Sequence, residues 1–157
     1  MKPEFWQDKR VLVTGHTGFK GGWLCLLLQA LGARVSGFAL TASTTPSLFE
    51  VARVHDGMRS ITGDVCDLSQ LRTAFEQCRP EIVVHMAAQS LVRESYREPV
   101  ATYATNVMGT VNVREAARVN AGVRAMVIVT SDKCYENRNI ERGYTEQDAL
   151  GGHDPYS

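Results

Sequence analysis

A short glycine-rich connection between an apolar strand and a helix constrains the fold of this chain most. Residues 10–15 read RVLVTG, which is typical of a buried strand, and residues 21–32 have the apolar pattern of a helix. The loop between them places Gly15, Gly18 and Gly21 at the strand-to-helix turn. Glycines at such a turn permit a tight bend, a close approach of a pyrophosphate, and packing of the helix on the strand. The segment therefore predicts a dinucleotide site at the start of the helix.

Short apolar runs alternate with helical stretches along the rest of the chain. Further strands are predicted at 34–40, 58–65, 81–87 and 125–131, and helices at about 47–55, 68–78 and 99–120. Asp67 is the expected N-cap of the helix at 68–78. Five strands joined by crossovers predict an α/β, Rossmann-like fold, with a doubly wound parallel sheet that binds ligands at the carboxyl ends of its strands. We expect residues 1–157 to form one NAD(P)-binding domain.

The fifth predicted strand ends in an unusual group of polar residues. The segment AMVIVTSDKCYE starts with a β-branched run, which predicts a strand buried on both faces. Ser131, Asp132 and Lys133 then follow directly. A surface ion pair between Asp132 and Lys133 would be the plain structural explanation. We favour a functional site, because this architecture binds ligands where its strands end.

Composition argues against several other classes of function. Lys plus Arg and Asp plus Glu number 17 each, so no basic field favours nucleic acid as a partner. The N-terminal residues lack a signal peptide and no apolar run could cross a bilayer, so we expect a cytoplasmic protein without a membrane partner. His85 lies inside an apolar strand and is expected to be a core histidine. No metal site is expected, because neither the cysteines nor the histidines have ligand spacing: Cys25, Cys66, Cys78, Cys134, His16, His55, His85 and His153.

The residues after the second strand leave the type of dinucleotide open. No charged residue occurs between Arg34 and Glu50. There is thus no acid to bind the ribose diol of NAD and no arginine to bind the 2′-phosphate of NADP. The hydroxyls of Thr41, Ser43 or Thr44 could serve either cofactor.

The order of motifs resembles a known superfamily. The loop TGHTGFKG, then GDVCD, HMAAQ, TSDK and DPYS resemble the extended short-chain dehydrogenases/reductases that act on nucleotide sugars. In finer detail, VLVTGHTGFKGGWL, TPSLFE, VTSDKCYEN and GGHDPYS resemble the N-terminal portion of the CDP-glucose 4,6-dehydratase family. The most specific segments are HTGFKG and SDKCYEN. This resemblance covers essentially the whole chain.

The resemblance implies a reaction in deoxysugar biosynthesis. CDP-glucose would be converted to CDP-4-keto-6-deoxyglucose by transient oxidation at C4 with tightly bound NAD, loss of water across C5 and C6, and return of hydride to C6. By position, Tyr156 would take the C4 hydroxyl proton, Ser131 would hydrogen-bond the C4 oxygen, and Asp132 would protonate the leaving C6 hydroxyl. Lys133 stands where related dehydratases keep a glutamate base. It would act either as a free amine that takes the C5 proton, which we slightly favour, or as an ammonium that stabilises the enolate.

The same resemblance implies the cofactor contacts. The glycine loop would hold the pyrophosphate, a pair after the third strand would contact adenine, the end of the fourth strand would line the cofactor, and a helical pair would lie near the nicotinamide ribose. In that order, these residues are Gly15, Gly18, Phe19, Lys20 and Gly21; Asp64 and Val65; Ala87, Ala88 and Gln89; and Thr105 and Asn106. NAD is the family's usual cofactor, although Thr41 stands where the family often has an aspartate, so NADP stays open.

The resemblance also sets expectations for the extent of the domain. The lysine of the family's YxxxK motif would lie four residues after Tyr156, beyond Ser157, as would the last strands and the sugar-nucleotide domain. We therefore expect an incomplete domain here, and a homodimer formed through the helix at 99–120 in a complete enzyme. The alternatives are a GDP-mannose dehydratase-like or epimerase-like relative, and a non-catalytic dinucleotide-binding fragment.

Overall fold

The computed structural model describes residues 2–157, which fold as alternating strands and helices. The five strands are β1 (Arg10–Thr14), β2 (Arg34–Ala39), β3 (Arg59–Thr62), β4 (Ile82–His85) and β5 (Ala125–Ile128). The α-helices are α1 (Pro3–Trp6), α2 (Phe19–Ala30), α3 (Leu48–Val51), α4 (Leu68–Cys78), α5 (Val92–Arg97), α6 (Pro99–Tyr103) and α7 (Gly109–Arg118). A π-helical segment (Ala104–Met108) joins α6 to α7, and 3-10 turns span Val54–Gly57 and Asp132–Cys134. Within residues 2–157, none of these helices is long and apolar enough to cross a membrane.

The strands form one parallel sheet in the order β3-β2-β1-β4-β5. Strand β1 lies at the centre, and its last residue, Thr14, is in register with Phe38 of β2 and His85 of β4. The order reverses between β1 and β4, where a doubly wound sheet opens a crevice for ligands. The predicted fold class is confirmed.

Helices cover both faces of the sheet, as the alternating side chains of β1 require. Leu12 points into one core together with Phe75 of α4 and Val113 of α7. Val11 points into the other core, where Leu28 of α2 is also buried. A doubly wound sheet follows from these two separate cores.

The prediction that the fifth strand is buried on both faces is wrong. Strand β5 is an edge strand of the described sheet, and its side chains are exposed to different extents. Met126 packs against one core, whereas Val127 is 53% and Val129 is 39% exposed. On the other core's side, α2 packs on β1 and β2 instead. A β-branched run thus marks a strand but does not say whether a helix covers it.

Two predicted helices are more divided than the sequence indicates. The stretch at 99–120 contains the π segment, and the separate helix α5 precedes it, with Glu98 ending α5 and leading into α6 at Pro99. The prediction of one short helix at 47–55 is wrong, because the segment forms two elements. Arg53 adopts a left-handed conformation with φ of 48°, which divides α3 from the 3-10 turn.

Asp67 caps α4 as predicted. Its Oδ1 accepts hydrogen bonds from the backbone N–H groups of Ser69 at 2.8 Å and Gln70 at 3.1 Å. The Ser69 hydroxyl also donates to Oδ1, and together these bonds hold the pKa of the Asp67 carboxyl below its usual value. The start of α4 therefore depends on this carboxylate.

Replacing Asp67 by Ala should lower the melting temperature by about 2–4 °C, because two helix N–H groups lose their acceptor. Asp67→Ser is the matched control, since serine is also a good N-cap, and it should recover most of the loss. Differential scanning calorimetry measures both. If the serine variant melts as early as the alanine variant, the side-chain cap is not what stabilises this helix.

Candidate cofactor and catalytic site

The glycine loop forms a cradle in which Gly15 and Gly21 leave no room for a side chain. Gly15 has a φ of 75°, and a Cβ added there would lie 2.8 Å from the backbone nitrogen of Ala87. A Cβ at Gly21 would overlap the carbonyl oxygen of Gly15. Gly18 is the N-cap of α2 and offers no side chain to its first N–H groups. These N–H groups and the positive end of the helix dipole suit a pyrophosphate, with Phe19 and Lys20 exposed beside them.

The segment after β2 begins next to this loop. The Thr17 hydroxyl donates to the carbonyl of Leu40 at 2.9 Å, which ties the glycine loop to the end of β2. Thr41, Ser43 and Thr44 follow and are exposed. Hydroxyl groups are therefore the polar side chains that this segment offers to a bound adenosine.

His16, for which the sequence predicts no role, packs beneath the glycine loop against β2. It is fully buried, its Nε2 lies 2.7 Å from the Ser60 hydroxyl, and its ring meets that of Phe49 edge to face at 5.3 Å. Burial lowers its pKa to about 4. A Cβ at Gly37 would overlap the imidazole, so the ring occupies the space that this glycine leaves. The missed signal was a histidine directly after Gly15 together with a glycine in the middle of β2.

Asp64 and Val65 lie at the end of β3, and the π segment approaches them. Asp64 Oδ1 accepts the N–H of Cys66 at 2.9 Å, while Val65 is buried. The Thr105 hydroxyl lies 4.0 Å from the Cys66 sulfur. Asn112 donates to the carbonyls of Val65 and Cys66 at 3.0 Å each, a role that the sequence analysis missed. Thr105 is thus placed at the end of β3.

Asn106 instead holds the segment at the end of β4. Its amide donates to the carbonyl of Gln89 at 2.9 Å and accepts the N–H of Gln89 at 2.8 Å. The Gln89 side chain in turn donates to Thr102 at 3.0 Å. Ala87 is half-buried beside Gly15, whereas Ala88 is exposed. Residues of the long helix and of β4 that were predicted separately are therefore brought into contact.

A tight turn follows β5 and carries three of the predicted catalytic residues. The Ser131 Oγ accepts the N–H of Lys133 at 3.0 Å, which caps the 3-10 turn and leaves the hydroxyl hydrogen free to donate. Asp132 and Lys133 are exposed. None of the ion pairs among residues 2–157 joins them. A simple ion pair therefore does not explain the polar strand end.

Asp132 and Lys133 line a cavity of about 500 Å³. Its wall also includes Asp154, whose Oδ1 accepts the N–H groups of Tyr156 and Ser157 at 3.0 Å each. The Ser157 hydroxyl bond is the main cause that holds the pKa of Asp154 low, and the positive charge of Lys133 adds to it. Tyr156 is half-buried, and neither its side chain nor that of Ser131 is on the wall. Of the four predicted catalytic residues, Asp132 and Lys133 thus line the cavity, whereas Ser131 and Tyr156 do not.

Residues 134–151, for which no helix or strand is predicted from the sequence, form an arm. Backbone bonds close its base, from the N–H of Glu136 to Ala149 and from the N–H of Gly151 to Cys134, both at 2.9 Å. Within the arm, the rings of Tyr135 and Tyr144 stack with centroids 5.3 Å apart and line the cavity. The arm thus adds aromatic surface beside Asp132 and Lys133.

Comparisons with known proteins identify the family of the chain. Residues 12–157 match the GDP-mannose 4,6 dehydratase family. The chain is similar to a CDP-glucose 4,6-dehydratase of Salmonella typhimurium, with 56% identity over 98% of this chain and 43% of the relative. It is also similar to a dTDP-glucose 4,6-dehydratase of Streptomyces griseus, with 34% identity over 94% of this chain and 45% of the relative. The chain therefore spans less than half the length of these relatives.

Solved structures share the fold. The UDP-glucose 4-epimerase of Thermus thermophilus in complex with NAD superposes with a TM-score of 0.81 and 29% identity, over 94% of this chain and 46% of the epimerase. The UDP-glucose 4-epimerase of Brucella ovis, also in complex with NAD, gives 0.81 and 25% identity, over 95% of this chain and 43% of that one. From its motifs, its sheet and these similarities, the chain belongs to the GDP-mannose 4,6-dehydratase family within the extended short-chain dehydrogenases/reductases.

Proposed function

We propose that the whole protein containing this chain is a nucleotide-sugar 4,6-dehydratase that acts on CDP-glucose. The observation that carries this proposal is the 56% identity to the Salmonella typhimurium CDP-glucose 4,6-dehydratase over 98% of the chain. Seven further dehydratases and epimerases have 26–37% identity over 70–94% of this chain. The product would be CDP-4-keto-6-deoxyglucose.

We propose NAD as the cofactor. The cradle of Gly15, Gly18 and Gly21 leaves room and open N–H donors for a pyrophosphate, and the two epimerases that superpose on this chain are NAD complexes. Phe19, Lys20, Asp64, Val65, Ala87, Ala88, Gln89, Thr105 and Asn106 complete the proposed site. When bound, NAD supplies a reversible hydride acceptor that oxidises C4 and later reduces C6. The exposed hydroxyls after β2 do not distinguish NAD from NADP.

The proposed catalytic roles come from the resemblance to related dehydratases, and the free donors and acceptors of each side chain are compatible with them. Ser131 keeps a free hydroxyl hydrogen for the C4 oxygen, and Tyr156 takes the proton of the C4 hydroxyl. Once C4 is a ketone, the C5 proton is acidic, and Asp132 on the cavity wall donates a proton to the departing C6 hydroxyl. Lys133 is exposed and lies on the same cavity wall as Asp132. As a free amine, Lys133 would take the C5 proton while Asp132 protonates the leaving hydroxyl; as an ammonium, it would stabilise the enolate oxygen while another group takes the C5 proton.

A panel of nucleotide sugars tests this function. The whole protein, loaded with NAD, is incubated with CDP-glucose, dTDP-glucose, GDP-mannose and UDP-glucose, and the products are weighed by mass spectrometry. We expect loss of one water from CDP-glucose with the highest kcat/KM. Dehydration of GDP-mannose instead, or a change in UDP-glucose without loss of mass, would support the other relatives. NAD binding without any reaction would support a non-catalytic module.

We also propose a homodimer formed through α6, the π segment and α7. Val100, Tyr103, Val107 and Val111 follow one another at helical spacing, and each is between 48% and 81% exposed. A contiguous apolar stripe of this kind is unusual on a protein that stays monomeric. A second copy of the same stripe would cover it.

Replacing Val107 by Lys should shift the protein from dimer to monomer, because a buried ammonium at the centre of the stripe has no partner. Sedimentation velocity at several concentrations measures the shift. Val119→Lys is the matched control, since Val119 is a similarly exposed valine at the C-terminal end of α7. A wild-type protein that is monomeric at every concentration would remove the proposal.

A further inference from the structure

A chain of buried hydrogen bonds connects three elements of the proposed cofactor site. Thr14 ends β1 directly before the glycine loop, and its Oγ1 lies 2.6 Å from Nδ1 of His85 at the end of β4. On the opposite side of the ring, Nε2 of His85 lies 3.0 Å from Oγ1 of Thr110 in α7. Thr14 is fully buried and His85 is only 2% exposed, so water does not compete for these groups.

The hydrogen bonds of Thr14 fix which nitrogen of the His85 ring carries the proton. The Thr14 Oγ1 accepts the backbone N–H of Ala87 at 3.2 Å and that of Met86 at 3.1 Å, and the Met86 N–H is shared with the Thr14 carbonyl oxygen at 3.2 Å. A hydroxyl oxygen has two acceptor positions, and both are used. The Thr14 hydroxyl hydrogen must therefore be donated to Nδ1 of His85, which acts as an acceptor without a proton.

The Thr110 end independently requires the same tautomer. The Thr110 Oγ1 lies 2.6 Å from the carbonyl oxygen of Asn106, and a carbonyl can only accept. Thr110 thus donates its hydrogen to Asn106 and accepts the Nε2–H of His85. Burial lowers the pKa of His85 to about 4, which agrees with a neutral ring at pH 7.

We propose that His85, as its neutral Nε2–H tautomer, is the positioning residue for the cofactor-lining segment Met86–Gln89. Through Thr14 it orients the oxygen that holds the first two N–H groups of this segment. Through Thr110 it orients the carbonyl of Asn106 in the π segment, which accepts the Thr110 hydroxyl four residues further along the helix. The side chain of Asn106 then clamps both backbone groups of Gln89. The inference rests on the proposed NAD site. It adds Thr14, His85 and Thr110, which are not among the residues proposed to contact the cofactor.

The tautomer can be observed directly. In the whole protein with ¹⁵N-labelled histidine, long-range ¹⁵N–¹H correlation spectra distinguish a nitrogen that carries a proton from one that does not. At pH 7 we expect the His85 ring to show a bare Nδ1 and a protonated Nε2. A protonated Nδ1, or an imidazolium, would overturn the proposed donor and acceptor roles in these hydrogen bonds.

The positioning role is tested with a matched pair of variants. Thr110→Val keeps the shape but removes the hydroxyl, whereas Thr110→Ser keeps the hydroxyl. In the valine variant, hydrogen exchange at the Gln89 amide should accelerate by about tenfold or more, without a change at the β2 amide of Val35, and NAD affinity should fall by about tenfold. The serine variant should restore both.

The outcomes separate this inference from the proposed function. Unchanged exchange at Gln89 in the valine variant, or altered exchange with unchanged NAD affinity, would overturn the positioning role. Equal acceleration at Gln89 and Val35 would mean that Thr110 contributes only to global stability. If the wild-type protein does not bind NAD, the proposed cofactor site fails, while the tautomer and the exchange at Gln89 still decide whether His85 fixes this segment.

Discussion

In the whole protein, an Asp132→Asn enzyme should still oxidise CDP-glucose at C4 but lose water about 10²–10⁴ times more slowly. Asparagine keeps the shape of the side chain and removes the proton that the C6 hydroxyl needs. Because Ser131 and Tyr156 are the residues proposed to act at the C4 oxygen, the first step should survive. Stopped-flow absorbance after mixing with CDP-glucose should therefore show reduced nicotinamide that accumulates instead of passing transiently.

Two further variants make this result specific. Glu146→Gln removes an exposed carboxylate of the arm that is not on the cavity wall, so it should behave as wild type. Lys133→Met tests whether the lysine takes the C5 proton. Exchange of that proton in deuterated water should be abolished if Lys133 is the base, and exchange at the wild-type rate would mean that it is not. If the Asp132→Asn enzyme binds substrate and shows no reduced cofactor, Asp132 belongs to the oxidation step or to structure.

A Gly18→Val substitution should weaken NAD binding by about 100-fold or more, which corresponds to about 2.7 kcal/mol. Gly18 has ordinary dihedral angles, and an added Cβ would lie 3.3 Å from the carbonyl oxygen of Gly15, a tight contact that a shift of a few tenths of an ångström in the loop would relieve, so we expect the fold to survive the change. The branched side chain would instead enter the space of the pyrophosphate. Titration calorimetry with NAD and with NADP measures both affinities. Gly21 is less informative, because a side chain there would overlap Gly15 and disturb the loop itself.

Gly143→Val provides the control for this prediction. No atom lies within 4 Å of a Cβ added at Gly143, which is in the arm and away from the glycine loop. It should bind NAD as wild type does. Equal affinity of the Gly18→Val protein and the wild type would show that the pyrophosphate lies elsewhere.

The order of strands and helices could be predicted from sequence because each element carries a local signal. β-branched runs mark the strands, glycines mark the first turn, and Asp67 marks a helix start that the structure confirms. The crossover rule then leaves few topologies for five such strands. The prediction that Ser131–Lys133 follow the carboxyl end of the fifth strand rests on the same signals, and the structure confirms that position.

What the sequence could not provide depends on contacts between distant segments. The π segment has no pattern of its own, and the exposure of Val127 depends on whether a helix happens to cover β5. His85 was correctly predicted as a core histidine, but its partners Thr14 and Thr110 lie 71 and 25 residues away in sequence. A single histidine in an apolar strand cannot indicate which hydroxyls will meet it.

Transfer of the hydrogen from C4 to C6 within one substrate molecule tests the proposed function most directly. CDP-glucose that carries deuterium at C4 is converted by the NAD-loaded whole protein, and the product is examined by NMR and mass spectrometry. The account predicts CDP-4-keto-6-deoxyglucose with the deuterium in its C6 methyl group and without exchange with solvent. A product that has lost the deuterium to water, or that retains it at C4, would contradict a dehydratase that oxidises C4 and reduces C6 in one active site.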